Sequence, residues 1–406
     1  MRTVVVVGGG ASGMISAIFS AKAGNKTILI EKNEKLGKKI YITGKGRCNI
    51  TNACDVEEFT ANVVRNPKFV FSAINSFSSY DLIALLENAG LKLKVERGKR
   101  VFPVSDKASD VTKTLEKLLI KYGVDVRLNT AVDEIIADDG KIRAVKTLSG
   151  EVCCDSVIVC TGGISYSATG STGDGYEFAK RFGHKIVDLK PSLVGFELEG
   201  DFFKESQGLS LKNVQLTAKC GDKIIFSQFG ESLFTHFGIS GPIVLSCSAR
   251  LNECDLNAIK LYLDFKPALD EKTLDERLLR EFSIEKGKNI ATVMRSLLPK
   301  SIIDAVLKKA RISLTKKCSE ISKEERRAIV LTLKAFEMKV KSLRPINEAI
   351  VTAGGVNVKE INPKTMESKI VKGLFFAGEV LDIDAFTGGF NLQLAFSTGV
   401  VAGNNA

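Results

Sequence analysis

MRTVVVVGGGASGMISAIFSAKAGNKTILIEKN, residues 1–33, is the stretch whose reading decides the fold. An apolar run, Val4 to Val7, leads into Gly8, Gly10 and Gly13 in GxGxxG spacing. A helical pattern follows, with Met14, Ile15, Ala17, Ile18 and Ala21 on one face and Gly24 as its stop, and a second apolar run then closes on Glu31. Strand, glycine turn, helix, strand and acid in that order are what binding the ADP half of a dinucleotide requires. Gly8 permits the tight turn, Gly10 lets backbone approach a pyrophosphate, and Gly13 lets the helix pack closely on the sheet, with its first-turn N–H groups facing the phosphates. Glu31, 18 residues after Gly13, can accept hydrogen bonds from the ribose hydroxyls. An acid at that position favours FAD or NAD over NADP.

The chain has 406 residues, enough for two or three domains. Hydrophobic content of 44% and charged content of 26% are ordinary for a globular protein. The net charge of +11 suits phosphate-bearing ligands, but Lys and Arg are spread along the chain, so a solvated surface is expected and nucleic acid is not expected as a partner. Nine cysteines at irregular spacings, without a C-x-x-C, read as free thiols in a reducing cytoplasm. Two histidines, His184 and His236, are too few for a His-rich metal centre, and no metal is expected. No targeting segment is visible and no apolar stretch approaches the roughly 20 residues that span a bilayer, so a cytoplasmic protein with no membrane partner is expected.

Beyond the opening unit, residues 69–89 and 107–122 are helical in pattern, and 124–160 read as a strand and a meander with turns at Asp139–Gly140 and Ser149–Gly150. The buried strand Val157 to Cys160 runs into Thr161–Gly162–Gly163, where Gly162 lets the chain turn beside the cofactor. Residues 189–267 are β-rich, and 268–344 are charged and helical with no obvious strand. The α/β character returns at 345. The expected architecture is therefore α/β: a two-part Rossmann-like nucleotide domain (1–188 and 345–406) carrying an inserted β-rich plus helical substrate domain (189–344).

GKKIYITGKGRCNITN, residues 37–52, sets Lys38, Lys39, Lys45 and Arg47 among glycines soon after Glu31, which suits neutralising pyrophosphate charge. Arg47 and Asn49 could also reach a flavin edge. Gly378–Glu379 and Gly388–Gly389–Phe390–Asn391–Leu392–Gln393 open a final helix, whose N-terminus would stabilise negative charge on a flavin pyrimidine.

With TGSTGDGY (169–176), LFTHFGISGP (233–242) and the GE-VLD…TGGFNLQ ending, these stretches resemble the BaiN/YhiN-type flavoproteins nearly end to end. The resemblance implies FAD in a two-part Rossmann-like domain, contacted by Ala11, Ser12, Glu31, Lys32, Lys38, Arg47, Val132, Gly378, Glu379, Asn391 and Leu392. Val132 would read the adenine through backbone groups. Ser167, where proline is usual, and Ala385–Phe386, where a Gly-containing turn is usual, depart from the pattern and leave the substrate open. Activities in the family include reduction of C=C bonds in 3-oxo-Δ4 or Δ4,6 steroids and oxidation of aminoacetone.

The leading expectation is NAD(P)H-linked reduction of a C=C bond conjugated to a carbonyl, in a small molecule resembling a steroid or bile acid. The alternatives are an oxidase of a small amine and, from another class, an RNA-associated flavoprotein hinted at by Lys308, Lys309, Arg311, Lys316 and Lys317. A reductase needs an acid for the α-carbon and a donor for the carbonyl. His236, Tyr166 and Arg100 are the candidates, with Arg97 and Ser240 behind them. No second GxGxxG is present, so NAD(P)H must dock transiently as electron donor.

Overall fold

The computed structural model describes all 406 residues and divides them into two compact units, Met1–Ser192 with Ile346–Ala406, and Leu193–Pro345. The first unit is built on a five-stranded parallel sheet. In spatial order its strands are Leu374–Phe376, Ser156–Val159, Thr3–Val7, Lys26–Ile30 and Asp125–Arg127. The first strand is central, and Val4, Val5 and Val6 are fully buried, as expected of a strand covered on both faces. The outermost strand, Leu374–Phe376, comes from the C-terminal part of the chain, so the sheet is completed only after the insertion.

Two helices pack against each other beside this sheet. Ala11–Lys22 follows the glycine turn, and Phe390–Asn405 closes the chain. Both are buried on most of their surface, which explains their weak amphipathic pattern. The meander consists of Val132–Asp138, Lys141–Thr147 and Gly150–Cys153. Pro67–Asn88 has the length and apolarity of a membrane span, against the sequence expectation. It is broken at Phe77 (φ −150°, ψ 92°) into Pro67–Ser76 and Ser79–Asn88, the second opened by a Ser78–Asp81 capping box. Ten residues rise only about 15 Å, half of a bilayer core. Val70, Ala73, Ile74, Leu82 and Leu86 are instead packed in the protein core.

The second unit is a closed six-stranded barrel: Phe196–Leu198, Gly238–Ser240, Lys223–Thr235, Ser210–Cys220, Ile259–Asp264 and Phe336–Leu343, with the last strand pairing back onto the first. Helices including Glu271–Ile284, Lys300–Lys309 and Lys323–Lys334 lie between the last two strands in sequence. Two boundaries differ from the sequence reading. The strand Ile186–Ser192 runs through the expected cut at 188, because it pairs antiparallel with Val351–Val356 of the first unit. Residues 268–344 are not wholly helical: Phe336–Leu343 is the barrel's closing strand, with Phe336, Met338 and Val340 buried and the charged residues between them outward.

Candidate functional site: a nucleotide crevice

The turn after the first strand is shaped by contacts that a side chain would destroy. Gly8 has φ 104°, and a Cβ there would lie 2.6 Å from the Cys160 carbonyl oxygen. A Cβ on Gly13 would lie 1.8 Å from the Gly8 carbonyl oxygen. At Gly10 a Cβ would meet nothing within 4 Å, so the glycine there keeps a space open above the backbone. Gly10 is the N-cap of the Ala11–Lys22 helix, which has neither a side-chain cap nor an acid in its first turn. Its first N–H groups, those of Ala11 and Ser12, therefore remain for an anion. This open cradle at an uncapped helix start fits a pyrophosphate.

Glu31, 7% exposed, directly follows the second strand. Its Oε2 accepts from the Gly9 N–H at 2.6 Å, and its Oε1 accepts from the backbone and side chain of Asn33. The carboxylate is thus oriented toward the glycine turn with lone pairs left for hydroxyl donors. The Thr130 N–H donates to the Glu31 carbonyl, which brings the segment leading into half-buried Val132 beside the acid. Lys32 pairs with Asp174 (2.6 Å), and Lys38 pairs with Glu34 and donates to Asn33.

Arg47 is committed to protein partners. Its guanidinium is held by Glu96 and Asp106 and lies over the Phe102 ring at 4.3 Å. It clamps a loop in which Gly44, Lys45 and Cys48 all have φ between 56° and 59°. Within the loop's exit the Asn49 Oδ1 is buried without a partner, an acceptor suited to a ligand N–H. Burial pushes the Cys48 and Cys160 thiols up to about 12, so neither supplies a thiolate at neutral pH.

The C-terminal segment closes the crevice from the other side. A Cβ on Gly378 (φ 80°) would lie 2.6 Å from Ser12 Oγ, which places this turn against the start of the first helix. Gly162 (φ 73°) turns the chain beside Ser171. The final helix starts at Gly389, again with no side-chain cap and no acid in its first turn, leaving the Asn391 and Leu392 N–H groups available. The Asn391 side chain is committed locally: Oδ1 accepts from the Ala385 N–H, and Nδ2 donates to the Ala385 and Phe386 carbonyls. Any ligand contact from Asn391 is thus left to its backbone. Asn52 donates to the Gly388 carbonyl and Thr51 to Gln393, so the residue 37–52 stretch is pinned to the final helix.

Residues the sequence did not single out as a group meet here. Lys39 Nζ lies 2.7 Å from Glu379 Oε2 and 2.7 Å from Ser165 Oγ, and Glu379 Oε1 accepts from Ser165 and the Thr352 N–H. Below them, Asp384 is fully buried, donated to by Ser192 at 2.6 Å, with Arg65 at 3.9 Å. Burial pushes Asp384 up to about 6. Lys39 and Glu379 are 340 residues apart, and no local spacing could have paired them. Of the catalytic candidates, Tyr166 follows Ser165 directly and is held half-buried at φ 52°. Arg100 is exposed and donates to the Arg97 carbonyl. His236 is exposed in the turn between two barrel strands, edge-on to Phe237, and Ser240 lies in the strand that follows.

A parallel-sheet nucleotide domain in two sequence parts, carrying an inserted β-barrel, defines the class as a Rossmann-type FAD-binding oxidoreductase fold. The chain belongs to the HI0933-like protein Rossmann domain family, which matches residues 2–405. It is 32% identical over 400 residues to a ribosomal RNA dihydrouridine synthase of Haemophilus influenzae, covering 97% of this chain and 96% of that protein. It is 28% identical over 411 residues to a 3-dehydro-bile acid delta(4,6)-reductase of Clostridium scindens, covering 100% and 99%. Its fold is similar to the open conformation of a flavocytochrome c3 fumarate reductase (TM-score 0.53, 18% identity, all of this chain and 78% of that one). A 3-ketosteroid-Δ4-(5α)-dehydrogenase from Rhodococcus jostii is comparable (TM-score 0.52, 14% identity, 100% and 96%). The family and the fold imply a flavoprotein oxidoreductase with FAD as its cofactor.

Proposed function

We propose that this protein reduces a C=C bond conjugated to a carbonyl, and that the bond is C5=C6 of uridine in ribosomal RNA. The names of its relatives point to one reaction type on two substrates. Forming dihydrouridine saturates an enone-like bond of uracil, and a 3-oxo-Δ4,6 bile acid carries a conjugated enone. Bound FAD supplies two-electron hydride chemistry, with NAD(P)H docking transiently as the donor. The chain's own share is to hold the substrate carbonyl and bring a proton to the adjacent carbon. Tyr166 is the side chain we assign to that proton, because it sits in a left-handed conformation beside the Lys39–Glu379–Ser165 cluster.

What supports RNA over a sterol is the net charge of +11, which, although spread along the sequence, a polyphosphate exploits and a sterol does not. The small-amine oxidase reading loses support because Glu379, the acid at the crevice, is already neutralised by Lys39. Anaerobic incubation of the purified yellow protein with NADPH or NADH and unmodified rRNA transcripts tests the proposal. Digestion and mass spectrometry are expected to show uridine gaining two hydrogens. Reduction of a 3-oxo-Δ4 steroid with no dihydrouridine formed would overturn the RNA assignment.

A further inference from the structure

The barrel's outer surface carries a charge arrangement that the folded chain alone does not favour. Strand register places Lys219 directly opposite Lys260, and Lys260 directly opposite Lys339. On all three strands the neighbouring positions, Ala218, Leu261 and Met338, are buried, so the lysines share the outward face. Adjacent strands lie about 4.8 Å apart, so three ammonium-bearing side chains leave the sheet within about 10 Å. Like charges directly opposite each other are destabilising. Lys309, on the helix Lys300–Lys309, adds a fourth: its Nζ donates to the Glu337 carbonyl and lies 5.1 Å from the Phe336 ring.

The opposing charge is thin. Glu337, one row along the closing strand, reaches Lys260 at 3.5 Å, and Glu199 reaches Lys339 at 3.7 Å. Both pairs are long and largely exposed, where such contacts contribute little. Asp222, in the neighbouring hairpin turn and followed directly by Lys223, is near enough to help raise the Tyr262 hydroxyl's pKa. Half-buried Tyr262 sits in the row next to the lysines, with Lys219 Nζ 5.3 Å from its ring. Clustered ammonium groups with an aromatic face among them are the ingredients of a phosphate-tracking, base-stacking surface.

We infer that the outward face of the Ser210–Cys220, Ile259–Asp264 and Phe336–Leu343 strands, centred on Lys219, Lys260 and Lys339, docks the phosphate backbone of the RNA substrate. This inference rests on the RNA reading above and adds the surface that receives it. A phosphate seated among the three lysines turns their mutual repulsion into attraction to a common anion and releases the anion's counterions. The surface contributes affinity and register rather than base identity.

The test is binding of in vitro transcribed small- and large-subunit rRNA to the FAD-loaded full chain, titrated across salt concentration. The triple variant Lys219→Ala, Lys260→Ala, Lys339→Ala is expected to bind about 10- to 100-fold more weakly at 0.15 M salt and to lower the slope of log Kd against log salt by about 2 to 3. Glu337→Gln, which removes the nearest opposing charge, is expected to tighten binding several-fold, an effect that misfolding cannot mimic. Flavin absorbance and melting temperature serve as controls for both. If the wild type binds rRNA and the triple variant keeps the same affinity and slope, the surface assignment is overturned while the RNA reading stands. If the wild type binds no rRNA, the RNA reading itself falls. Binding of anionic phosphatidylglycerol vesicles as tightly as rRNA, with the same lysine dependence, would also overturn the assignment to RNA.

Discussion

Gly10 and Gly13 share one motif yet serve different physical ends. Open space surrounds the Cβ position at Gly10, whereas at Gly13 a Cβ would sit 1.8 Å from backbone. Gly10→Val is therefore expected to leave folding intact and fill the phosphate cradle, weakening FAD retention by about 10- to 100-fold, the worth of one or two charge-assisted hydrogen bonds. Gly13→Val is expected to prevent stable folding. Flavin release on dilution and circular dichroism of the apoprotein separate the two. Asp384 gives a pH signature. Its folded pKa of about 6 stands above the ordinary 3.8, because burial, with Asp382 and Glu379 nearby, outweighs the Ser192 hydrogen bond and Arg65. The stability it contributes is full below pH 3.8 and is lost as pH rises through about 6. Asp384→Asn is expected to remove that decline and to be more stable at pH 7.5 by on the order of 2 kcal/mol. Urea melts at pH 4.5, 6 and 7.5 would show it; an unchanged slope would place the ionisation elsewhere.

At the scale of elements, the crossing of Ala11–Lys22 with Phe390–Asn405 holds the two sequence parts of the nucleotide unit together. A Cβ on Gly399 would lie 2.7 Å from the Ser12 carbonyl oxygen, and one on Gly403 would lie 2.4 Å from that of Ser16. Small residues on both helices bring the backbones close, and their N-termini supply the two sets of free N–H groups in the crevice. Gly403→Leu is expected to cost about 3 kcal/mol, since neither backbone can yield, with the urea midpoint as the readout. A variant as stable as the wild type would show that the helices can separate without loss. The two-way pull on Glu379, from Lys39 and from the Thr352 N–H, belongs to this scale too. It fixes the start of the C-terminal turn without help from neighbours in sequence.

At the scale of the molecule, every candidate nucleotide-site residue lies in the unit Met1–Ser192 with Ile346–Ala406, and its sheet needs no strand from the barrel. Replacing residues 193–345 by a short Gly-Ser linker is therefore expected to leave a folded unit that retains about one FAD per chain but binds no rRNA. Absorbance of the purified protein checks the first part and filter binding the second. A colourless, unfolded product would mean that the first unit depends on the barrel.

The first βαβ unit was legible because its signals are local: period-2 and period-3.6 patterns, glycines at fixed offsets and an acid at the strand end. The meander and most helices were legible for the same reason. The closing strand Phe336–Leu343 was not, because FEMKVKSL follows a charged helix without a glycine or proline between them, and its alternation becomes decisive only when it pairs with Ile259–Asp264. Sequence by itself determined that a dinucleotide cradle forms at Gly8–Gly13 and that the nucleotide unit is interrupted, since both rest on neighbours along the chain. Only tertiary structure decided that Arg47 answers to Glu96 and Asp106, that Lys39 meets Glu379 and that three distant lysines line up on one barrel face. Charge pairing and strand register act through space, between residues tens to hundreds of positions apart, and no window of sequence holds both partners.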